Sequence, residues 1–100
     1  MAFLLEQVMP EGVTVKFLDE VTDEMNIEAH LPGAFVSHVH FMRDGRAHIV
    51  DVWHSKEAYE TFGVQLLQPA MAKVAERHGI TMEGPGPETT WTEVARVIAR

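Results

Sequence analysis

An Asp-Gly pair between two apolar runs is the feature of this sequence that most restricts its fold. Asp44 and Gly45 are flanked by residues 34–42 and 46–54, which are both rich in the valine, isoleucine, phenylalanine and tryptophan that strands favour. Asp-Gly is typical of the two-residue turn that joins neighbouring antiparallel strands. The sequence therefore predicts a β-hairpin over residues 34–54.

The segments around this hairpin predict a βαββαβ order. Residues 2–9 form a short apolar run closed by a proline and a glycine, as in a buried first strand. Thr14 is a candidate N-cap for a first helix, whose apolar residues recur at three- and four-residue steps. Ser55 is expected to cap a second helix with a kink at Pro69, and residues 89–98 are expected to form the fourth strand.

This order indicates the ferredoxin-like plan of the α+β class. We expect one domain over residues 1–100, with a four-stranded antiparallel sheet in the order 4-1-3-2 and both helices on one face. The first three strands carry apolar residues at both parities, as Leu4 and Leu5 illustrate, so the second face must also be covered. A second copy of the chain would cover it, and we expect a homodimer.

Charge and composition exclude several classes of partner and site. The chain has 8 Lys plus Arg against 15 Asp plus Glu, a net charge of -7, which does not suit binding to nucleic acid or to an anionic membrane surface. The absence of cysteine excludes disulfides, thiolate metal sites and a cysteine nucleophile. The apolar start of the chain is too short for a spanning helix and lacks the basic leader of a signal peptide, so we expect a cytoplasmic protein.

The predicted turn fixes which side chains oppose each other across the hairpin. A two-residue turn places His38 opposite Asp51 and, further along the hairpin, Val36 opposite Trp53. The alternation of strand side chains puts His40 on the same face. Opposed residues have Cβ atoms ~4.5 to 5.5 Å apart, which lets a carboxylate accept a hydrogen bond from an imidazole. A His-Asp pair is the minimal unit of general-base catalysis.

Three interpretations of this polar face stay open. In the first, His38 is a general base that Asp51 orients. A wall formed by Trp53 and a second polar contact from His40 complete a ligand pocket in this interpretation. In the second, the His-Asp pair is a satisfied polar contact in the core or at the dimer interface. In the third, the two histidines and the aspartate bind a transition metal, although no further ligand can be named.

Residues 33–75 resemble the small dimeric α+β barrel proteins grouped with the antibiotic-biosynthesis monooxygenases. In that group a strand ending in acidic-x-Trp precedes Ser-x-Glu-Ala-aromatic and a later Pro-Ala. The matching residues are Asp51, Val52, Trp53, Ser55, Glu57, Ala58, Tyr59, Phe62, Leu67, Pro69 and Ala70. The resemblance implies a homodimer whose sheets face one another, with a ligand pocket between each sheet and its two helices.

The resemblance also implies activities and further site residues. Members of the group include cofactor-free oxygenases of aromatic polyketides, heme-degrading enzymes, cyclases and proteins without an assigned role. Heme degraders carry a tryptophan and a histidine near the positions of Phe62 and Ala72, so heme is not expected here. They also place an amide residue on the first strand, for which Gln7 is the nearest candidate and Glu6 the alternative.

Together the polar face and the resemblance favour a dimeric pocket protein without a cofactor. The expected ligand is a small hydrophobic, aromatic or polyketide-like molecule. If the protein is an enzyme, we expect a cofactor-free monooxygenase or cyclase that uses the His-Asp pair. The alternatives are a non-enzymatic ligand-binding or accessory protein and a His/Asp metal site. The candidate catalytic residues are His38 and Asp51, and the candidate substrate-binding residues are His40, Trp53, Gln7 and Phe62.

Overall fold

The computed structural model of the protein describes residues 1–81 and 84–99. The strands are β1 (Ala2–Val8), β2 (Phe35–Arg43), β3 (Arg46–Trp53) and β4 (Glu88–Val94). The helices are α1 (Val15–Met25), α2 (Lys56–Phe62) and α3 (Gln68–Arg77), with a 3-10 turn at Ile27–Ala29 and a π-helical segment at Gly63–Leu67. The predicted βαββαβ order is confirmed. Within this part of the chain, no helix has both the length and the hydropathy that a membrane crossing requires.

The strands form one antiparallel sheet in the order β2-β3-β1-β4, which is the predicted order. At the hairpin, Asp44 and Gly45 both adopt left-handed backbone conformations, with φ of 52° and 76°. A two-residue turn between right-twisted strands needs positive φ at both positions, which aspartate tolerates and glycine adopts without a steric cost. Arg43 consequently pairs with Arg46, as the turn chemistry predicts.

One pairing in the hairpin differs from the prediction. Trp53 opposes Phe35 and not Val36, because the ladder is irregular between Phe35 and Ser37. An extra residue in one strand shifts the pairing of the residues beyond it, counted from the turn, by one position. The shift brings the Phe35 ring edge-on to the Trp53 indole, with the ring centroids 5.4 Å apart.

The predicted second helix divides close to Pro69. Proline lacks an N–H, and its ring clashes with the carbonyl group four residues earlier, at Gln65. The backbone widens just before it, where the Gln68 N–H donates to the Gly63 carbonyl oxygen in a π-helical bond. The sequence predicted the interruption at Pro69 but not its π-helical form.

The fourth strand is shorter than predicted. It ends at Val94 and not at Ile98, because Val94 pairs with Ala2, where β1 begins. Beyond that point β1 offers no strand backbone for pairing, and the Ile98 side chain is 83% exposed. The β-forming composition of residues 95–98 is therefore not sufficient to extend the sheet.

The helices cover one face of the sheet and leave the other face open. Thr14 and Ser55 cap α1 and α2 as predicted, accepting hydrogen bonds from the backbone N–H groups of Phe17 and Ala58. The apolar side of the helices packs on the Trp53 face. The buried cluster that results contains Met9, Phe17, Leu18, Val21, Met25, Ala47, Trp53, Phe62, Ala70, Val74 and Ala75.

Candidate functional site

A small cavity lies between the helices and the sheet. Its volume is about 50 Å³. Because its side chains line this cavity, the polar face predicted from the hairpin lies towards the helices and not towards the open face of the sheet. All six candidate site residues line this cavity, namely Gln7, His38, His40, Asp51, Trp53 and Phe62.

The sheet register places the polar side chains around the cavity. His38 pairs directly with Asp51, as predicted from the turn. From the neighbouring strand, Gln7 lines the cavity and donates a hydrogen bond to the Thr89 hydroxyl. Glu6 has the opposite parity on β1, so its exposed side chain lies on the open face. Of the two candidates on β1, Gln7 is the residue at the cavity.

Asp51 is the buried charged group of the site, with 4% of its surface exposed. Its Oδ1 atom accepts a hydrogen bond from His38 Nδ1 at 2.6 Å, and its Oδ2 atom accepts one from Trp53 Nε1 at 3.1 Å. A buried carboxylate needs such donors, because burial without them carries a large desolvation cost. The two bonds hold the carboxylate in place and select the His38 tautomer that carries a proton on Nδ1.

Two further contacts extend this pair to the surface. The second ring nitrogen of His38, Nε2, lies 2.8 Å from Nδ1 of His40. The other nitrogen of His40, Nε2, donates to the Asp19 carboxylate at 2.7 Å. Asp19 belongs to α1, and its side chain is 60% exposed. The helix pattern predicts a solvated position for Asp19 and gives no signal of this contact, which joins α1 to β2.

Tyr59 is a cavity residue to which sequence reasoning assigned no role beyond the motif match. Its ring packs edge-on against Trp53, with the centroids 5.3 Å apart. Burial raises the pKa of the Tyr59 phenol, the nearby negative charge of Asp51 raises it further, and hydrogen bonding with Gln7 lowers it. Tyr59 is therefore a neutral hydroxyl group at physiological pH and can donate a hydrogen bond to a ligand.

The rest of the cavity wall is almost entirely apolar. The Phe62 ring lies against Trp53 with a centroid distance of 5.4 Å. A volume of about 50 Å³ accommodates about one or two water molecules, since each occupies ~30 Å³ in the liquid. It is far below the ~300 to 1,000 Å³ of pockets for drug-sized ligands. The apolar wall residues are Leu18, Val21, Met25, Ile27, Phe35, Ile49, Phe62 and Leu67.

The geometry does not favour the metal interpretation of the polar face. His38 Nδ1 and Asp51 Oδ1 bond directly to each other, and His38 Nε2 faces His40. Metal ligands instead converge on one point with their lone pairs. Among the residues that the structure describes, no group of three His, Asp or Glu side chains could hold a metal ion.

Solved structures share this fold at low sequence identity. The cofactor-independent oxygenase SnoaB from Streptomyces nogalater is 15% identical, with a TM-score of 0.54 over 97% of this chain and 94% of that chain. The ActVA-Orf6 monooxygenase of Streptomyces coelicolor, solved with nanaomycin D, is 14% identical, with a TM-score of 0.58 over 99% and 90%. A dimeric ferredoxin-like protein of unknown function from Jannaschia sp. CCS1 is 17% identical, with a TM-score of 0.54 over 92% and 99%.

No protein-family model and no curated protein matches the sequence. At identities of this size a structural likeness establishes the fold and leaves the activity open, because one fold can host many functions. The chain has the ferredoxin-like α+β fold of the antibiotic-biosynthesis monooxygenases, so the resemblance predicted from residues 33–75 is confirmed at the level of the fold.

Proposed function

We propose that this protein is a homodimer that binds a small aromatic molecule carrying an acidic hydroxyl group and removes the hydroxyl proton with the His38–Asp51 pair. The observation that carries the proposal is the 2.6 Å hydrogen bond between these two residues at the wall of an apolar cavity. A carboxylate that fixes the tautomer of an imidazole and stabilises its protonated form makes the imidazole an effective base.

Proton removal is the step for which these side chains are suited. It leaves the aromatic ligand as an electron-rich anion, and such an anion can react with molecular oxygen without a metal or an organic cofactor. We therefore assign the protein to cofactor-independent oxygenation, with ring closure of a similar anion as the related reaction. SnoaB is described as a cofactor-independent oxygenase and ActVA-Orf6 as a monooxygenase, which supports this choice.

Apart from His40, the other candidate residues have roles in binding. Trp53 and Phe62 form an aromatic wall on which a planar ligand can stack. Gln7 and Tyr59 place an amide and a phenol at the same cavity, where they can form hydrogen bonds with polar groups of the ligand. His40 acts through its contact with His38.

Binding of an aromatic ring requires the cavity to widen. Side chains at the ends of helical segments border it, among them Met25 at the end of α1 and Leu67 at the end of the π-helical segment. Single π-helical turns occur frequently at functional sites and depart from regular helix bonding. We expect ligand binding to displace Leu67 and the π-helical segment outwards.

The open face of the sheet supports the dimer. Val39 pairs with Val50 on this face and is 55% exposed in the single chain. On the same face the Phe41 ring stacks on His48 with a centroid distance of 5.3 Å. An apolar sheet face of this kind is a protein interaction surface, and a second copy packed sheet against sheet would cover it. The protein from Jannaschia is described as dimeric.

One observation favours a second candidate, a dimeric binding or accessory protein without catalysis. In the described part of the chain, every buried polar side-chain atom already has a hydrogen-bond partner. A fully satisfied network stabilises a fold without any further role. The test must therefore separate binding from proton removal.

Thermal unfolding with paired ligands makes this separation. Phenols and naphthols are compared with their methyl ethers, which keep the ring and lose the acidic proton. A ligand specific for the native state stabilises it by about 2.7 kcal/mol at a hundred times its Kd. The proposal predicts that the phenols stabilise the protein and that the ethers do so only a little. This difference should disappear in His38→Ala. It should remain in the control His54→Ala, which changes an exposed histidine.

Equal stabilisation by phenols and ethers, unchanged in His38→Ala, would support the accessory protein instead. No stabilisation by any of these ligands would contradict binding of aromatic hydroxyl compounds.

A further inference from the structure

Four titratable side chains form a row in which each is joined to the next by a hydrogen bond. The buried carboxylate of Asp51 bonds to His38, His38 bonds to His40, and His40 bonds to Asp19, over distances of 2.6, 2.8 and 2.7 Å. Each imidazole thus uses both of its ring nitrogens within this row. The number of protons that such a row must hold can be counted directly.

Each of the outer bonds takes one proton, because a carboxylate accepts and an imidazole N–H donates. If both histidines were neutral, these protons would be on His38 Nδ1 and His40 Nε2. The two nitrogens that face each other at 2.8 Å would then both carry lone pairs and repel. A hydrogen bond at that distance needs a third proton between them.

We propose that His38 and His40 share one proton and act as a single acid–base unit, with Asp19 as its positioning residue. The row then carries one positive charge on the histidine pair between two negative carboxylates. The count is the same if the proton nearest Asp51 is on the carboxylate, since three bonds still hold three protons.

The surroundings of the pair favour the shared proton. The titratable groups that bond to it or line the same cavity are Asp51 on β3, Asp19 on α1 and Tyr59 on α2. From β1 the cavity receives only the uncharged amide of Gln7. No lysine or arginine among the described residues lines it. Negative groups on two sides and no competing cation stabilise an extra proton on the pair.

The shared proton determines when His38 can act as a base. When the pair releases this proton, a lone pair on His38 Nε2 becomes free to accept the proton of a ligand hydroxyl. The ligand O–H bond breaks, a His38 N–H bond forms, and the electron pair stays on the ligand oxygen as an oxyanion. The proton can pass to His40 Nδ1 while His40 Nε2 gives its proton to the exposed Asp19 and then to water.

This inference deepens the proposed function and, in its catalytic consequence, rests on it. The proton count itself concerns the protein without a ligand and can be measured separately. If the shared proton is absent, the inference fails while binding of aromatic hydroxyl compounds is untouched. If binding fails and the shared proton is present, the proposed function fails alone.

Nitrogen-15 NMR of the histidine rings tests the inference in the intact protein. We expect a scalar coupling between His38 Nε2 and His40 Nδ1, which only a proton between these nitrogens can transmit. Rings without this coupling at every pH at which the protein is folded would overturn it.

The positioning role of Asp19 has its own variant. Asp19→Asn removes one of the two flanking negative charges at an exposed position, so the fold is expected to persist. The coupling between His38 Nε2 and His40 Nδ1 should then be weaker than in the wild type under the same conditions. Asp23→Asn removes a charge from an exposed residue of the same helix and is the control. Equal effects of Asp19→Asn and Asp23→Asn on this coupling would contradict the role of Asp19.

Discussion

The Nε2 atom of His38 lies 2.8 Å from the Nδ1 atom of His40, two residues further along the same strand. Side chains two residues apart on a strand share a face, so the backbone geometry of β2 brings the rings together. Because His38 also bonds to Asp51 through Nδ1, neither of its nitrogens is free in the ligand-free protein. Under the proposed function, a ligand must compete with His40 for Nε2, and His38 can act as a base only when the shared proton has left this nitrogen.

Asp51→Asn should separate the chemistry of the site from its stability. The amide oxygen can still accept from Trp53 Nε1, and the amide nitrogen can donate to His38 Nδ1. That donation reverses the tautomer of His38 and places a proton on Nε2, which then cannot act as a base. We expect proton removal to fall by at least about a hundredfold and stability to change by about 1 kcal/mol or less. Urea unfolding measures the stability.

Asp51→Ala is the matched comparison. It leaves the His38 Nδ1–H and the buried Trp53 Nε1–H without partners, and an unsatisfied buried group such as the indole N–H costs about 1 to 3 kcal/mol. Losses of equal size in Asp51→Asn and Asp51→Ala would show that the amide does not preserve the network.

The dimer prediction concerns the open sheet face. Val39→Asp places a charge on a residue that a second sheet would bury, where an unpaired charge is strongly unfavourable. We expect sedimentation equilibrium to give the mass of two chains for the wild type and of one chain for this variant. Thr61→Asp adds the same charge at an exposed position of α2 and should remain dimeric. A wild-type protein with the mass of one chain would refute the dimer.

Tyr59 should ionise only in strongly alkaline solution. Burial and the charge of Asp51 raise its pKa above the ordinary value of 10.0. As the pH rises, Tyr59 therefore loses its phenol proton in the unfolded chain before it does so in the folded protein. Its contribution to stability is fully present below pH 10.0 and is lost as the pH rises through the raised pKa. Because Tyr59 is the only tyrosine, its phenolate absorbance reports this titration alone. Tyr59→Phe should reduce the alkaline loss of stability, and a phenolate signal at the pH of free tyrosine would contradict the prediction.

Glu20 leads to a corresponding prediction about stability in acidic solution. A hydrogen bond from His78 lowers the pKa of its carboxyl, the positive charges of His78 and Arg77 lower it further, and desolvation opposes them. Because the pKa of Glu20 is lower in the folded protein than in the unfolded chain, ionised Glu20 stabilises the fold at pH above the ordinary pKa of 4.5. This stabilisation is lost as the pH falls through the lowered pKa. Glu20→Gln should therefore flatten the acid decline of stability. Glu28→Gln, in the 3-10 turn, is the control; an equal effect of both variants would contradict the prediction.

Sequence reasoning succeeded where the information is local. The Asp44-Gly45 turn fixes the hairpin register, and the register places His38 opposite Asp51. The same reasoning missed Asp19, because its contact with His40 joins a helix to a strand and no periodicity records which exposed helical residue reaches across. It also misplaced Val36, since no turn signal in the sequence marks the irregularity between Phe35 and Ser37.

The central claim is that His38 and Asp51 deprotonate a bound phenol, and the absorbance of a bound nitrophenol tests it most directly. The measurement is made at a pH at which the free compound is mostly protonated and the His38–His40 pair no longer holds its shared proton. Under these conditions colour reports proton removal, because only the phenolate is strongly coloured. The account predicts a saturable phenolate band with the wild-type protein, and a bound but colourless phenol with Asp51→Asn. A nitrophenol that binds the wild-type protein and keeps its phenol spectrum would contradict the account.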